Sequence, residues 1–299
     1  MSLNSVPALQ GSTSFSIKSL IARSPITAYF LIAFAGTWLL DSPMVFGKDG
    51  LGILPFSIPF PIYAGLFILG SYAGPTLASL LVTNVLEGSA GIKTFLRRYI
   101  QWRVGVPWYL IIFLGYPLVY IFAAMVWLGL APLQNVLTQW SAIFTTYLPA
   151  ILIFPGLITW GEEPGWRGFA QTRMQERYGA LKASLIVGFL HGLWHLPIFF
   201  IVNGPVAGGP FNPGQFVQNT LTIMVITIIW TWIFNNTNQS ILIAVLIHAS
   251  GNAVQQLMTQ WIPDFPQRAQ NTVIVFYIVI ALVLVLVTKG QLAYKPSNH

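Results

Sequence analysis

Eight stretches of the chain are apolar for about 20 residues each, the length a helix needs to cross the hydrocarbon core of a bilayer. They lie near residues 25–45, 62–86, 106–131, 142–161, 183–202, 217–235, 241–260 and 271–289. The first runs into Asp41 and Pro43, and the fourth ends directly in Glu162 and Glu163. The pattern predicts an all-α, polytopic membrane helix bundle of about eight transmembrane helices. Residues 1–24 form a tail, 25–290 the bundle and 291–299 a second tail. The first apolar run is too long for a signal-peptide core and no small-residue cleavage site follows it, so it is read as a retained helix. The gap between the fifth and sixth stretches, NGPVAGGPFNPG (203–214), is an uncharged loop rich in Gly and Pro.

Composition sharpens this picture. Only 7% of the 299 residues are charged, against about 25% in an ordinary soluble domain. A water-soluble globule could not cover its surface with so few charges. The net charge of +7 points to membrane topology and not to nucleic acid, because the basic residues sit between the apolar runs. With eight spans and the N-terminus inside, twelve Lys and Arg residues, Arg167 among them, fall on the inner side and only Lys48 and Arg268 outside. This reads as a multi-pass protein of a bacterial plasma membrane with both termini cytoplasmic. There is no cysteine, which removes disulfides, thiolate metal sites and cysteine nucleophiles.

In so apolar a chain, each ionisable group at membrane depth needs a reason. Three clusters qualify. GEEPGWRGFAQ (161–171) places Glu163 and Arg167 one helical turn apart, where they can pair. Pro164 suits the first turn of a helix, so a new amphipathic helix is expected to start near Glu163 and lie at the inner surface. Two adjacent carboxylates in different surroundings suit acid/base work; the structural alternative is an interfacial ion-pair cluster. FLHGLWHLP (189–197) puts His191 and His195 on one helix face, either for catalysis or metal ligation or as hydrogen-bonding links to other helices. LIHASGN (246–252) pairs His248 with Asn252 across three small residues. There Asn252 can orient His248 or donate to an oxyanion, or the pair can be a close polar contact between helices. At a rise of about 1.5 Å per residue, His248 and His195 lie roughly 10 and 18 Å into the membrane, so one cavity could take all three clusters.

Together the clusters resemble the CPBP family of intramembrane proteases, also called the CAAX protease and bacteriocin-processing (Abi) family. Its pattern is EExxxR, then Phe-xxx-His, then His-xxx-Asn, on a bundle of about eight helices. EEPGWR (162–167) and HASGN (248–252) match in full. HGLWH (191–195) departs, with His191 where the family usually has Phe. The likeness covers roughly residues 65–260. It implies hydrolysis of a peptide bond in a prenylated, bacteriocin-like or other membrane-associated substrate. By resemblance Glu162 is the general base, Glu163 and Arg167 position it, His195 and His248 handle the water and the leaving amine, and Asn252 steadies the oxyanion. His191 is a supporting residue. No cofactor is firmly indicated; a metal-free glutamate protease is favoured, and zinc stays open, with Glu162, His195 and His248 as its ligands. The expected partners are a peptide or membrane-protein substrate and the lipid bilayer. The competing readings are a non-catalytic membrane immunity or scaffold protein and a proton-coupled transporter. The transporter would show inverted-repeat halves, and no such symmetry is present in the sequence.

Overall fold

A computed structural model describes residues 16–202 and 210–296. The N-terminal tail up to residue 15, most of the Gly- and Pro-rich loop (203–209) and the last three residues, including His299, lie outside the described residues. Among the described residues every regular element is helical. Among the described residues eight helices are long and apolar enough to cross a membrane: α1 (Pro25–Phe46), α2 (Phe60–Ile100), α3 (Val106–Leu128), α4 (Ile143–Tyr178), α5 (Ala180–Phe200), α6 (Pro213–Asn236), α7 (Ile241–Trp261) and α8 (Gln267–Thr288). Short helices Ile17–Arg23 and Ala131–Thr138 flank them.

Hydropathy alone places the spans well, but α2 and α4 run on past their apolar windows. In α2 the helix continues through a π-helical turn, Tyr72–Thr76, and bends at Gly88, whose φ of 63° a side chain would resist. In α4 the expected helix start near Glu163 is not found. The α-helix Phe154–Glu163 passes directly into a π-helix, Pro164–Gln171, and on into Thr172–Tyr178. Proline has no N–H and its ring crowds the preceding turn, and the wider π spacing lets the helix continue past Pro164. Nor does this stretch lie at the surface: every residue from Pro164 to Gln171 is buried, and only from Thr172 onward does the helix present an exposed charged face. Arg167, counted from sequence among the inner basic residues, is fully buried.

Small residues let the helices approach closely where the polar clusters meet. A Cβ on Gly165 would stand 2.5 Å from the Pro75 Cβ and from the Tyr29 hydroxyl. Gly188 and Gly192 do the same for α5 against α6, where added Cβ atoms would meet the Cα atoms of Met224 at 2.7 Å and Thr220 at 2.9 Å. The core around α7 is the most enclosed part of the bundle: Ile243, Ile247, Ala249, Ala253 and Val254 are all buried against α3 and α4.

Candidate active site

The three polar clusters converge because their helices pack around α7. Glu162 and Glu163 come from the last α-helical turn before the π segment of α4, and Arg167 from within it. His191 and His195 come from α5, and His248 and Asn252 from α7. Glu162, His191, His195, His248 and Asn252 line one cavity of about 1150 Å³. Glu163 and Arg167 stand behind its wall, each fully buried.

Arg167 organises that wall. Its Nη1 donates to Glu163 Oε1 at 3.0 Å and to His191 Nδ1 at 3.4 Å, and its Nη2 donates to Thr227 Oγ1 at 3.1 Å. Its Cζ lies 4.5 Å over the Trp230 ring, a cation–π contact. Both terminal nitrogens of the guanidinium thus have partners, while its Nε has no hydrogen-bond partner among the described residues.

The donor-only character of arginine fixes the histidine tautomers. Because Arg167 donates to His191 Nδ1, that nitrogen carries the lone pair and the proton sits on Nε2. His191 Nε2 therefore donates to Glu162 Oε2 at 3.1 Å. His195 Nδ1 donates to the His191 carbonyl at 2.9 Å, which leaves the His195 Nε2 lone pair free to act. His248 Nδ1 donates to Glu163 Oε1 at 2.7 Å, which leaves its Nε2 likewise. The adjacent glutamates thus differ. Glu163 is tied to Arg167 and His248, while Glu162 has one oxygen held by His191 and sits on the cavity wall.

Tryptophans hold the imidazoles in place. Trp166 stacks on His191 at 4.5 Å, Trp194 meets His195 edge-on at 4.8 Å, and Trp230 lies 4.7 Å from the His248 ring. Trp166 and Trp194 stand beside motif residues and were visible there. Thr227 and Trp230 sit in the apolar run TIIWTWIF (227–234), where hydropathy offers no signal.

The residues also bear on a metal. Glu162, His191 and His195 offer one ligand atom each within 4.8 Å of one another. Ligation through His191 Nε2 would move its proton to Nδ1, against the guanidinium, so His191 is the poorest donor of the three. The lone pairs aimed away from Arg167 are those of Glu162, His195 Nε2 and His248 Nε2. Two imidazoles and a carboxylate are a fitting donor set for zinc, and Glu163 behind His248 supplies the usual carboxylate backing. His248 itself lies outside the tight group, with its Nδ1 3.9 Å from Glu162 Oε2.

The rest of the cavity is uncharged and mixed, with Gln218, Asn219, Gln255, Gln256 and Gln270 along its walls beside Phe67, Ile158, Ile198, Ile223, Ile226 and Ile274. Side-chain amides of this kind donate and accept in equal measure, which suits peptide backbone.

Comparison with known proteins agrees with the motif reading. Residues 142–254 match the model of the Rce1-like family, described as type II CAAX prenyl endopeptidase Rce1-like. A curated relative, CAAX prenyl protease 2 of Methanococcus maripaludis, is 26% identical over 238 residues, which cover 77% of this chain and 83% of the relative. The matched stretch runs from before Glu162 to just past Asn252, so the glutamate and histidine groups that meet at the cavity all lie within the part of the chain that is similar to the Rce1-like endopeptidases.

Proposed function

We propose that this chain is an intramembrane endopeptidase that hydrolyses a peptide bond of a membrane-associated substrate, prenylated CaaX peptides among them, with Glu162 as the base. The observation that carries this reading is the division between the two glutamates. Glu163 is buried off the cavity with its Oε1 held by Arg167 and His248, whereas Glu162 is steadied on one oxygen and faces the cavity beside two imidazole lone pairs.

In this mechanism a water is held between Glu162 and the Nε2 atoms of His195 and His248. Glu162 takes one proton as the water oxygen attacks the scissile carbonyl carbon. The carbonyl oxygen gains negative charge and accepts a hydrogen bond from the Asn252 amide. As the tetrahedral centre collapses, the C–N bond breaks. The leaving nitrogen takes the proton that Glu162 collected, delivered directly or through His248. Glu163 and Arg167 hold His248 and His191 in the tautomers this sequence needs. Zinc on Glu162, His195 and His248 would supply Lewis acidity and a more acidic water. The chain is read with both termini cytoplasmic, which places most of its Lys and Arg on the inner side.

The test is cleavage by the purified protein of a prenylated CaaX peptide and a library of membrane peptides. Glu162→Gln is expected to lower turnover by about a thousandfold, within the range general-base catalysis supplies, and His248→Ala to remove most of it. Undiminished cleavage by both variants would put the site elsewhere. A chelator is expected to leave turnover unchanged; loss on chelation with recovery on adding zinc would assign the three ligands to a metal. A folded wild-type protein that cleaves no substrate would favour a binding or scaffold role.

A further inference from the structure

The cavity wall also carries polar groups outside the three motifs, Tyr116 among them. Tyr116 comes from α3, outside the matched stretch 142–254. It is 8% exposed and lines the cavity with Glu162, His248 and Asn252. Trp230 Nε1 donates to its hydroxyl oxygen at 2.7 Å. An indole N–H only donates, so the phenol accepts there and keeps its own proton for another partner. Among the described residues, the bond from Trp230 is the hydroxyl's one hydrogen bond.

The position of that hydroxyl is informative. A Cβ built on Gly251 would stand 2.9 Å from Tyr116 Cζ and 3.0 Å from its oxygen. The hydroxyl therefore rests against the α7 backbone at the residue between His248 and Asn252, and glycine is what admits it. The same indole that donates to Tyr116 lies under the Arg167 guanidinium at 4.5 Å and against His248 at 4.7 Å. A cation over the ring draws electron density from it and sharpens its N–H as a donor. Chained hydrogen bonds polarise one another, so the phenol becomes a better donor in turn.

We propose that Tyr116 is a second oxyanion donor: its O–H hydrogen-bonds to the scissile carbonyl oxygen alongside the Asn252 amide and stabilises the charge that develops there. The proton stays on the phenol throughout, so no group is transferred and the balance of the hydrolysis is unchanged. Trp230 acts only through Tyr116 and is a positioning residue. The inference rests on the protease reading with Glu162 as base.

The experiment measures kcat and KM for a cleavable membrane peptide with full-length wild type, Tyr116→Phe and Gly251→Ala. Losing one oxyanion donor is expected to lower kcat about a hundredfold with KM and the pH profile unchanged, because the phenol neither binds the ground state strongly nor exchanges a proton. Gly251→Ala keeps the hydroxyl but displaces it, and is expected to lower kcat as well. Adding it to Tyr116→Phe should cost little more, since the hydroxyl is already gone. A Tyr116→Phe kcat equal to that of wild type, or a loss confined to KM, overturns the proposal and leaves Tyr116 as cavity wall. No turnover by wild type would sink the protease reading itself, a different outcome from failure of this one.

Discussion

Arg167→Met removes a cation that no water can replace. Arg167 and Glu163 are both fully buried, with Nη1 and Oε1 3.0 Å apart. At an effective dielectric constant of about 20, that separation corresponds to about 5.5 kcal/mol of attraction. Most of this offsets the cost of taking two ions out of water, several kcal/mol each, so the net worth of the intact pair is small. The asymmetry appears when one partner is lost. Arg167→Met leaves Glu163 as a buried, uncompensated carboxylate and is expected to cost about 3–5 kcal/mol. Glu163→Gln strands the guanidinium and should cost a similar amount. The double variant buries neither charge, and it is expected to recover much of the loss, with a coupling energy of about 2–3 kcal/mol. The assay is unfolding in mixed micelles followed by tryptophan fluorescence, comparing the four midpoints. A double variant that sits at the sum of the two single losses would refute the reasoning, because the two side chains would then not be acting as a pair.

Two further outcomes are expected. His191→Phe, which places here the residue that family members usually carry, removes one hydrogen bond to Glu162; turnover should fall about ten- to a hundredfold, the worth of a bond to a charged group, and inactivity as complete as that of Glu162→Gln would move His191 into the reacting set. Gly165→Ala drives a methyl group into Pro75 and the Tyr29 hydroxyl and should cost at least about 1–3 kcal/mol, whereas Gly115→Ala, with nothing within 4 Å, should be neutral or slightly stabilising; equal unfolding midpoints for the two would mean that α4 is not pressed against α2.

The sequence makes the eight spans legible because a bilayer imposes one length and one polarity on each of them. It makes Glu162, Glu163, Arg167, His191, His195 and His248 legible as candidates for a related reason: few ionisable groups occur at depth, and each stands out, with Asn252 marked by its spacing one helical turn from His248. What it hides falls into two kinds. The passage of α4 through Pro164 depends on a change of helix type, and a proline in sequence looks the same whether it starts a helix or widens one. Tyr116, Thr227 and Trp230 contribute one polar atom each from otherwise apolar helices, so no periodicity or charge marks them. Their partners lie 60 residues or more away along the chain, Arg167 for Thr227 and Tyr116 for Trp230, and only packing reveals such contacts. The two histidines of α5 share one helix face, and the structure adds to their separation by motif a physical difference: Arg167 donates to His191 and not to His195.

The groups around the cavity enter the membrane in a fixed order. Synthesis delivers Tyr116 first, then Glu162 and Arg167, then His191 and His195, then Thr227 and Trp230, and last His248 and Asn252. On the mechanism above, a nascent chain that has inserted its first five or six helices holds a carboxylate and no complete means of using it. The tautomer of His248 is set by a residue made 85 positions earlier, so the seventh helix must dock before that bond can exist. On that mechanism, proteolytic competence waits for the seventh helix to dock, and the shorter chain is inert.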